Sequence, residues 1–204
     1  MDAEEPLQSQ IRFLLEADRL KTVLRQSLIT DRSRHENTAE HSWHLALMAV
    51  VLAEHAPPGT DLARVGAMLL LHDLVEIDAG DLFLYADATA QARQEEADRA
   101  AAMRIFAILP AAQGAGLRAL WEEFEERRTP EARFARALDR LQPMLLNMQT
   151  EGGTWAAHGV TLDQVLPKVD LIEEGSASLG AYARTMIATA VERGILSPGT
   201  PAAR

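Results

Sequence analysis

LLLHDLVEIDAGD, residues 69–81, decides how the chain is read. Five of its first seven residues are aliphatic, which places the stretch inside a helical protein. His72 and Asp73 nevertheless stand side by side within it, followed by Glu76, Asp78 and Asp81. Ionisable side chains enter an interior when they are paired or hold a metal. Wound as a helix at about 100° per residue, the stretch puts His72, Asp73 and Glu76 within a sector of roughly 100°. His72 and Asp73 could then grip a metal while Glu76 faces the same cavity. Gly80-Asp81 turns the chain at the helix end and could return Asp81 to that face. The competing reading is the solvated stripe of an amphipathic helix, which is what an isolated His-Asp pair ordinarily is.

The surrounding sequence favours helices almost throughout. Apolar residues recur at helical spacing and alternating runs are scarce, which predicts helices over 7–25, 38–56, 61–77, 88–109, 114–127, 130–150 and 161–194. Asn37 with Glu40, and Thr161 with Gln164, have the spacing of capping pairs. Thr129-Pro130 has the form of an N-cap followed by proline at the first helical position. Pro57-Pro58-Gly59 ends the second helix, and Asp61 can cap the third. The last segment should break near Gly175-Ser176. The expected fold is an all-α bundle of about seven helices, one domain over 1–196, with a disordered tail over 197–204.

Composition narrows the chemistry. The chain has 204 residues, 48% of them hydrophobic, which suits one globular domain. The acidic start MDAEEP lacks the features of a signal peptide. The longest apolar run, Leu45 to Ala53, is far short of the roughly 20 residues of a membrane span, so the expectation is a soluble, cytoplasmic protein without a membrane partner. The net charge of −10 disfavours duplex nucleic acid as a partner. A small phosphate ester remains compatible with it, provided a metal and a few cations reverse the sign locally. There are no cysteines, so disulfides, thiolate zinc sites and cysteine nucleophiles are excluded. Any metal is held by His, Asp or Glu.

Two more helices carry suitable residues. In ENTAEHSWHLALMAVVLAEH (36–55), His41 and His44 are three apart and share a face. Either could be a ligand; His41 is nearer the helix opening, and His44 could instead support it or be a satisfied core histidine. His55 and His158 read as incidental. In ARFARALDRLQPMLLNM (132–148), Asp139 lies in a strongly apolar pattern. Pro143 removes the N–H that would bond the carbonyl of residue 139, so the helix should loosen there. The alternative for Asp139 is a surface pair with Arg136 or Arg140. Two His and two Asp from three helices make a nitrogen and oxygen set suited to one divalent ion: Mn²⁺, Co²⁺, Fe²⁺, Ni²⁺, Mg²⁺ or Zn²⁺.

The order His41 … His72-Asp73 … Asp139 resembles the metal signature of the HD-domain phosphohydrolases. ENTAEHSWHLAL (36–47), LLLHDLVEIDAGD (69–81) and ALDRLQPMLLN (137–147) are similar to the 5′-deoxynucleotidase branch, of the bacterial YfbR and eukaryotic HDDC2-like type. The resemblance runs from about Leu20 to Gly194. It implies a helical fold around one divalent metal and hydrolysis of 2′-deoxynucleoside 5′-monophosphates to deoxynucleoside and phosphate. Its implied ligands are His41, His72, Asp73 and Asp139. Glu76 matches the catalytic glutamate, Asp81 the acidic residue that acts beside it on the substrate, and Arg25 in LKTVLRQ the arginine that faces the phosphate. The residue after that arginine is aromatic in the best-matching bacterial enzymes and is Gln26 here. Lys21, Arg32 and Arg34 are weaker phosphate candidates. Trp43 and His44 lie outside the signature.

Two other functions compete. One is hydrolysis of a different phosphate ester: an alarmone, a cyclic dinucleotide or a nucleoside triphosphate. The other is a metal- or nucleotide-binding module without turnover, for which Glu76 and Asp81 would be superfluous. Trp121 and Phe124, in LRALWEEFEERRTPEARFARAL (117–138), read either as core packing or as part of a homodimer interface.

Overall fold

Side-chain caps set where the helices begin. A computed structural model describes residues 5–199. The first helix, α1, spans Pro6–Asp18 and tightens into a 3₁₀ turn over Arg19–Thr22. Asn37 then opens α2, Thr38–Val51: its side chain accepts from the Glu40 N–H, and the Glu40 carboxylate accepts in return from the Asn37 N–H. Asp61 caps α3, Leu62–Leu71. Further on, α5 (Ala88–Phe106) starts at Asp87, α6 covers Ala111–Glu126, and Thr129 caps α7, Pro130–Gln149. A short α8, Gly153–His158, leads to α9, Leu162–Gly175, and α10, Ala177–Glu192, capped by Ser176. The break expected at Gly175-Ser176 is where α9 ends. Beyond α10, Ser197 accepts a hydrogen bond from the Leu162 N–H. Residues 200–204 of the expected tail, and 1–4 of the N-terminus, lie outside the described residues.

Two segments differ from the expected helices. Residues 23–37 are not a helical end with a loop but an antiparallel hairpin, β1 (Leu24–Leu28) with β2 (His35–Asn37). Leu24 pairs with Asn37 and Leu28 with His35, with a register irregularity between. Arg25 is therefore on a strand. The helix expected over 61–77 stops at Leu71, continues as a 3₁₀ turn over His72–Val75, and resumes as the single turn α4, Glu76–Ala79. Such a mid-helix tightening often accompanies a functional site. Pro143, by contrast, does not end α7, which is continuous through it.

Two hydrophobic cores result. The larger joins Leu45, Met68 and Leu69 of α2 and α3 to Phe134, Leu138 and Leu141 of α7, Val169 and Ile172 of α9, and Ile187 of α10. The smaller gathers Phe13, Leu74, Val75, Ile105, Phe106 and Trp121. Leu69 thus belongs to one core and Leu74 to the other, so His72-Asp73 crosses the seam between them. The seam is held in part by Trp121, whose indole N–H donates to the His72 carbonyl at 3.1 Å. Trp121 and Phe124 are both buried within the chain, so core packing accounts for them. Among the described residues no helix is long and apolar enough to cross a membrane.

Candidate metal centre and active site

The seam opens into a cavity of about 300 Å³ lined by residues of β1, the 72–76 turn, α5, α6, α7, α8 and α9, near the lower end for small-molecule sites. His72 lines it, and the buried His41 ring lies beside His72, their ring centroids 5.8 Å apart. Both rings are almost fully buried. Ligand atoms of His41, His72 and Asp73 lie within 4.8 Å of one another. Asp139 completes the group: its Oδ1 is 3.1 Å from His41 Nε2 and 3.8 Å from His72 Nε2.

The hydrogen bonds around the two rings fix which nitrogen faces inward. His72 Nδ1 is 2.9 Å from the Leu69 carbonyl, which can only accept. His72 Nδ1 therefore carries a proton, and Nε2 is the nitrogen left to face a cation or a second proton. His41 Nδ1 is 3.1 Å from Gln142 Oε1, and Gln142 Nε2 donates to Glu36 Oε1 at 2.7 Å, so His41 too has its free nitrogen at Nε2. His72 Nε2 is buried without a hydrogen-bond donor and sits 3.1 Å from Asp73 Oδ1. Lone pairs facing carboxylate oxygens repel unless positive charge lies between them. Two imidazoles, each anchored at Nδ1 and aimed at carboxylates through Nε2, have the arrangement that could hold a metal, with outer partners in place. The donor set, two nitrogens with carboxylate oxygen, suits a divalent ion of the borderline class.

The electrostatics of the two histidines differ. Burial and then Arg25 push His41 down to about 4, keeping it neutral as a ligand must be. Burial would also lower His72, but Asp73 and Asp139 outweigh it and raise it to about 10. This corner of the cavity demands positive charge. Asp139 is held well below the usual carboxylate range: burial opposes this, but Arg140, His41 and His72 prevail.

Around these residues stand the groups that could act on a substrate. Glu76, opening α4, accepts from the Thr38 hydroxyl at 2.8 Å. Burial and then Asp73 raise its pKa well above normal, so it is biased toward holding a proton. Gly80, at φ +75°, turns the chain and brings in Asp81, which burial pushes up to about 6 against the pull of Arg25. Arg25 reaches across from β1. Its guanidinium bonds Asp73 Oδ2 at 3.0 Å and lies 3.6 Å from Asp81 and 3.9 Å from Glu76. Phe83 and Tyr85 form an apolar patch of the wall, with centroids 5.4 Å apart, and the exposed His158 ring packs on Phe83 at 4.3 Å. Gln26, which also lines the cavity, contacts the His158 imidazole through its side chain.

All seven residues singled out for chemistry therefore converge. The weaker phosphate candidates do not: Lys21 pairs with Asp18, Arg32 with Glu151 and Arg34 with Glu40, all away from the cavity. His44 is half-buried and faces Gln142 Nε2 at 3.3 Å, with the exposed Trp43 ring beside it. His55, read as incidental, faces the Ser178 hydroxyl. Glu36, Thr38 and Gln142 escaped the sequence reading. Gln142 follows Asp139 by three residues and so shares its helix face, the one signal that could have found it. Arg136 and Arg140 do pair with Asp139, at 3.5 and 3.8 Å, but inside the cavity rather than on the surface.

Comparison with known proteins places this geometry in a family. The HD domain family matches residues 17–179. The chain is 29% identical over 144 residues to the 5′-deoxynucleotidase HDDC2 of Xenopus laevis, covering 70% of each chain. It is 28% identical over 138 residues to the human 5′-deoxynucleotidase HDDC2, covering 67% of this chain and 66% of that one. Among solved structures, a predicted metal-dependent phosphohydrolase from Magnetospirillum magnetotacticum is 54% identical, with a TM-score of 0.91 over 95% of this chain and 96% of that one. An HD-domain phosphohydrolase from Listeria innocua, 16% identical with a TM-score of 0.60 over 90% of this chain and 86% of that one, shares the fold.

Proposed function

We propose, from the premise that this chain belongs to the HD-domain family and is a metal-dependent phosphohydrolase, that it removes the phosphate of 2′-deoxynucleoside 5′-monophosphates. The observation that carries the reading is the pair of anchored imidazoles aimed at Asp73 and Asp139, with Glu76, Asp81 and Arg25 around one cavity. The substrate class is supported by the two 5′-deoxynucleotidases that this chain resembles.

His41, His72, Asp73 and Asp139 would hold the ion. When bound, it supplies Lewis acidity toward a phosphoryl oxygen and acidity to the attacking water. Glu76 stands beside Asp73 as the carboxylate to take the proton of that water, and Thr38 orients it. Arg25 presents a fork that matches a phosphate, at the edge of the carboxylate group. Asp81 is placed to receive a sugar hydroxyl, and Phe83 and Tyr85 offer apolar faces for the nucleoside.

The test is phosphate release from a panel of deoxy- and ribonucleoside 5′-monophosphates with Co²⁺, Mn²⁺ or Mg²⁺ added. Release from the deoxynucleotides, abolished by chelator, is the expected result. A metal-loaded protein that releases phosphate from no monophosphate would remove the nucleotidase assignment and move the panel to alarmones and cyclic dinucleotides.

A further inference from the structure

The charges of the cavity are unevenly placed: Asp73, Glu76 and Asp81 stand around Arg25 at the metal centre, while four further cations gather on the other side of Asp139. Besides Arg25, the cavity is lined by Arg127 at the end of α6, Arg136 and Arg140 on α7, and Lys168 on α9. Three separate helices bring these cations together. Arg136 and Arg140 are largely buried, with side chains 12% and 15% exposed. Their shared ion-pair partner is Asp139 Oδ2, while the other oxygen of that carboxylate faces the two histidines. Holding Asp139 explains one cation beside it, not the whole group. The Nε–H of both arginines is buried without an acceptor. Buried donors of this kind call for a partner, and a guanidinium offers five donors to find one with. Lys168 and Arg127 have no ion-pair partner among the described residues. Glu95, Asp98 and Glu125 also line the cavity, and none of them forms an ion pair with the four among the described residues.

We infer that Arg127, Arg136, Arg140 and Lys168 form a second anion subsite beside the metal centre, so that the pocket takes nucleotides carrying a second phosphate linked to the first. The inference rests on the phosphohydrolase reading above for the position of the first phosphate, and adds a ligand class to it. Asp139 joins the two subsites: one face of its carboxylate looks toward the centre and the other toward the arginines. Contiguous phosphates would therefore span the carboxylate from one subsite to the other. Arg136 is held in its plane by Phe124, whose ring lies 5.2 Å below the guanidinium. Lys168 is pushed down in pKa, by burial first and then by Arg140, Arg136 and Arg127. That mutual repulsion is relieved by an anion set among them.

The experiment uses metal-loaded protein carrying Glu76→Gln, so that bound nucleotide persists. Calorimetric titration compares deoxyadenosine 5′-diphosphate with the 5′-monophosphate, in excess divalent ion. The diphosphate should bind about tenfold tighter or more, the gain typical of added charge-assisted hydrogen bonds. Lys168→Ala and Arg127→Ala, neither of which touches Asp139, should each collapse that preference, whereas Arg118→Ala on the outer face of α6 should keep it. A parent that binds the monophosphate with no preference for the diphosphate would overturn this inference alone. A preference that survives both Lys168→Ala and Arg127→Ala would also overturn it. A parent without metal, or without monophosphate binding, would overturn the phosphomonoesterase reading and this inference with it.

Discussion

His41 and Gln142 show how the site works at the residue scale. A histidine binds metal through one nitrogen only if the other is committed, and Gln142 commits Nδ1 of His41. Gln142→Leu keeps the volume and removes the acceptor, which should weaken metal binding by about 10–100-fold, read by competition with a chelating dye. Unchanged affinity would mean that Gln142 does not orient His41. Arg25→Lys keeps the charge and loses the fork. It should lower kcat/KM for the monophosphate by about one to two orders of magnitude, with metal content unchanged. Equal kinetics would take Arg25 out of phosphate recognition. The candidate ligands were legible in the sequence because an interior His-Asp pair is chemically conspicuous. Gln142 and Glu36 were not, because a neutral amide beside a proline and a glutamate near a helix cap resemble surface residues until α2 and α7 are set side by side.

The elements themselves explain the precision of the site. α7 carries Asp139, Arg136, Arg140 and Gln142, and it crosses α9 at Gly175. A Cβ on Gly175 would stand 2.2 Å from the Arg133 carbonyl and 2.8 Å from Ala137 Cβ. Gly175→Ala must push the two helices apart and should destabilise the protein by about 1–3 kcal/mol, measured by urea unfolding. A change below about 0.5 kcal/mol, ordinary for a surface site, would show that the crossing has slack. Helix starts and the break after Gly175 could be read from caps and breakers alone. The hairpin could not: β1 is five residues long, LRQSL does not alternate cleanly, and its pairing with β2 is a tertiary event. The same holds for the 3₁₀ turn at His72, where apolar spacing is identical to that of an α-helix. Arg25 was found by its neighbours in sequence but placed on the wrong kind of element for this reason.

On the scale of the whole molecule, two cores meet along a seam that concentrates charge. Asp73, Glu76, Asp81, Asp139, Glu36 and Arg25 are all largely buried there. A cation bound at the seam binds the folded state alone and so stabilises it, by about 4 kcal/mol at a thousandfold excess over Kd. Chelation should therefore lower Tm by several degrees, and restoring metal should recover it. A Tm indifferent to metal would mean that no ion is integral to the fold. The all-helical class and the order of the signature blocks were readable because they are written locally. The four cations that α6, α7 and α9 bring into one cavity are dispersed over 42 positions, from Arg127 to Lys168. Their grouping appears only in three dimensions.

The central claim is a centre in which Asp139 is a ligand and Glu76 is not. Metal content per chain, measured on the parent, Glu76→Gln and Asp139→Ala, tests it most directly. The account predicts about one equivalent of divalent ion in the parent and in Glu76→Gln, as a single four-ligand site requires, and loss of it in Asp139→Ala. Full metal in Asp139→Ala, or loss of metal in Glu76→Gln, would contradict it.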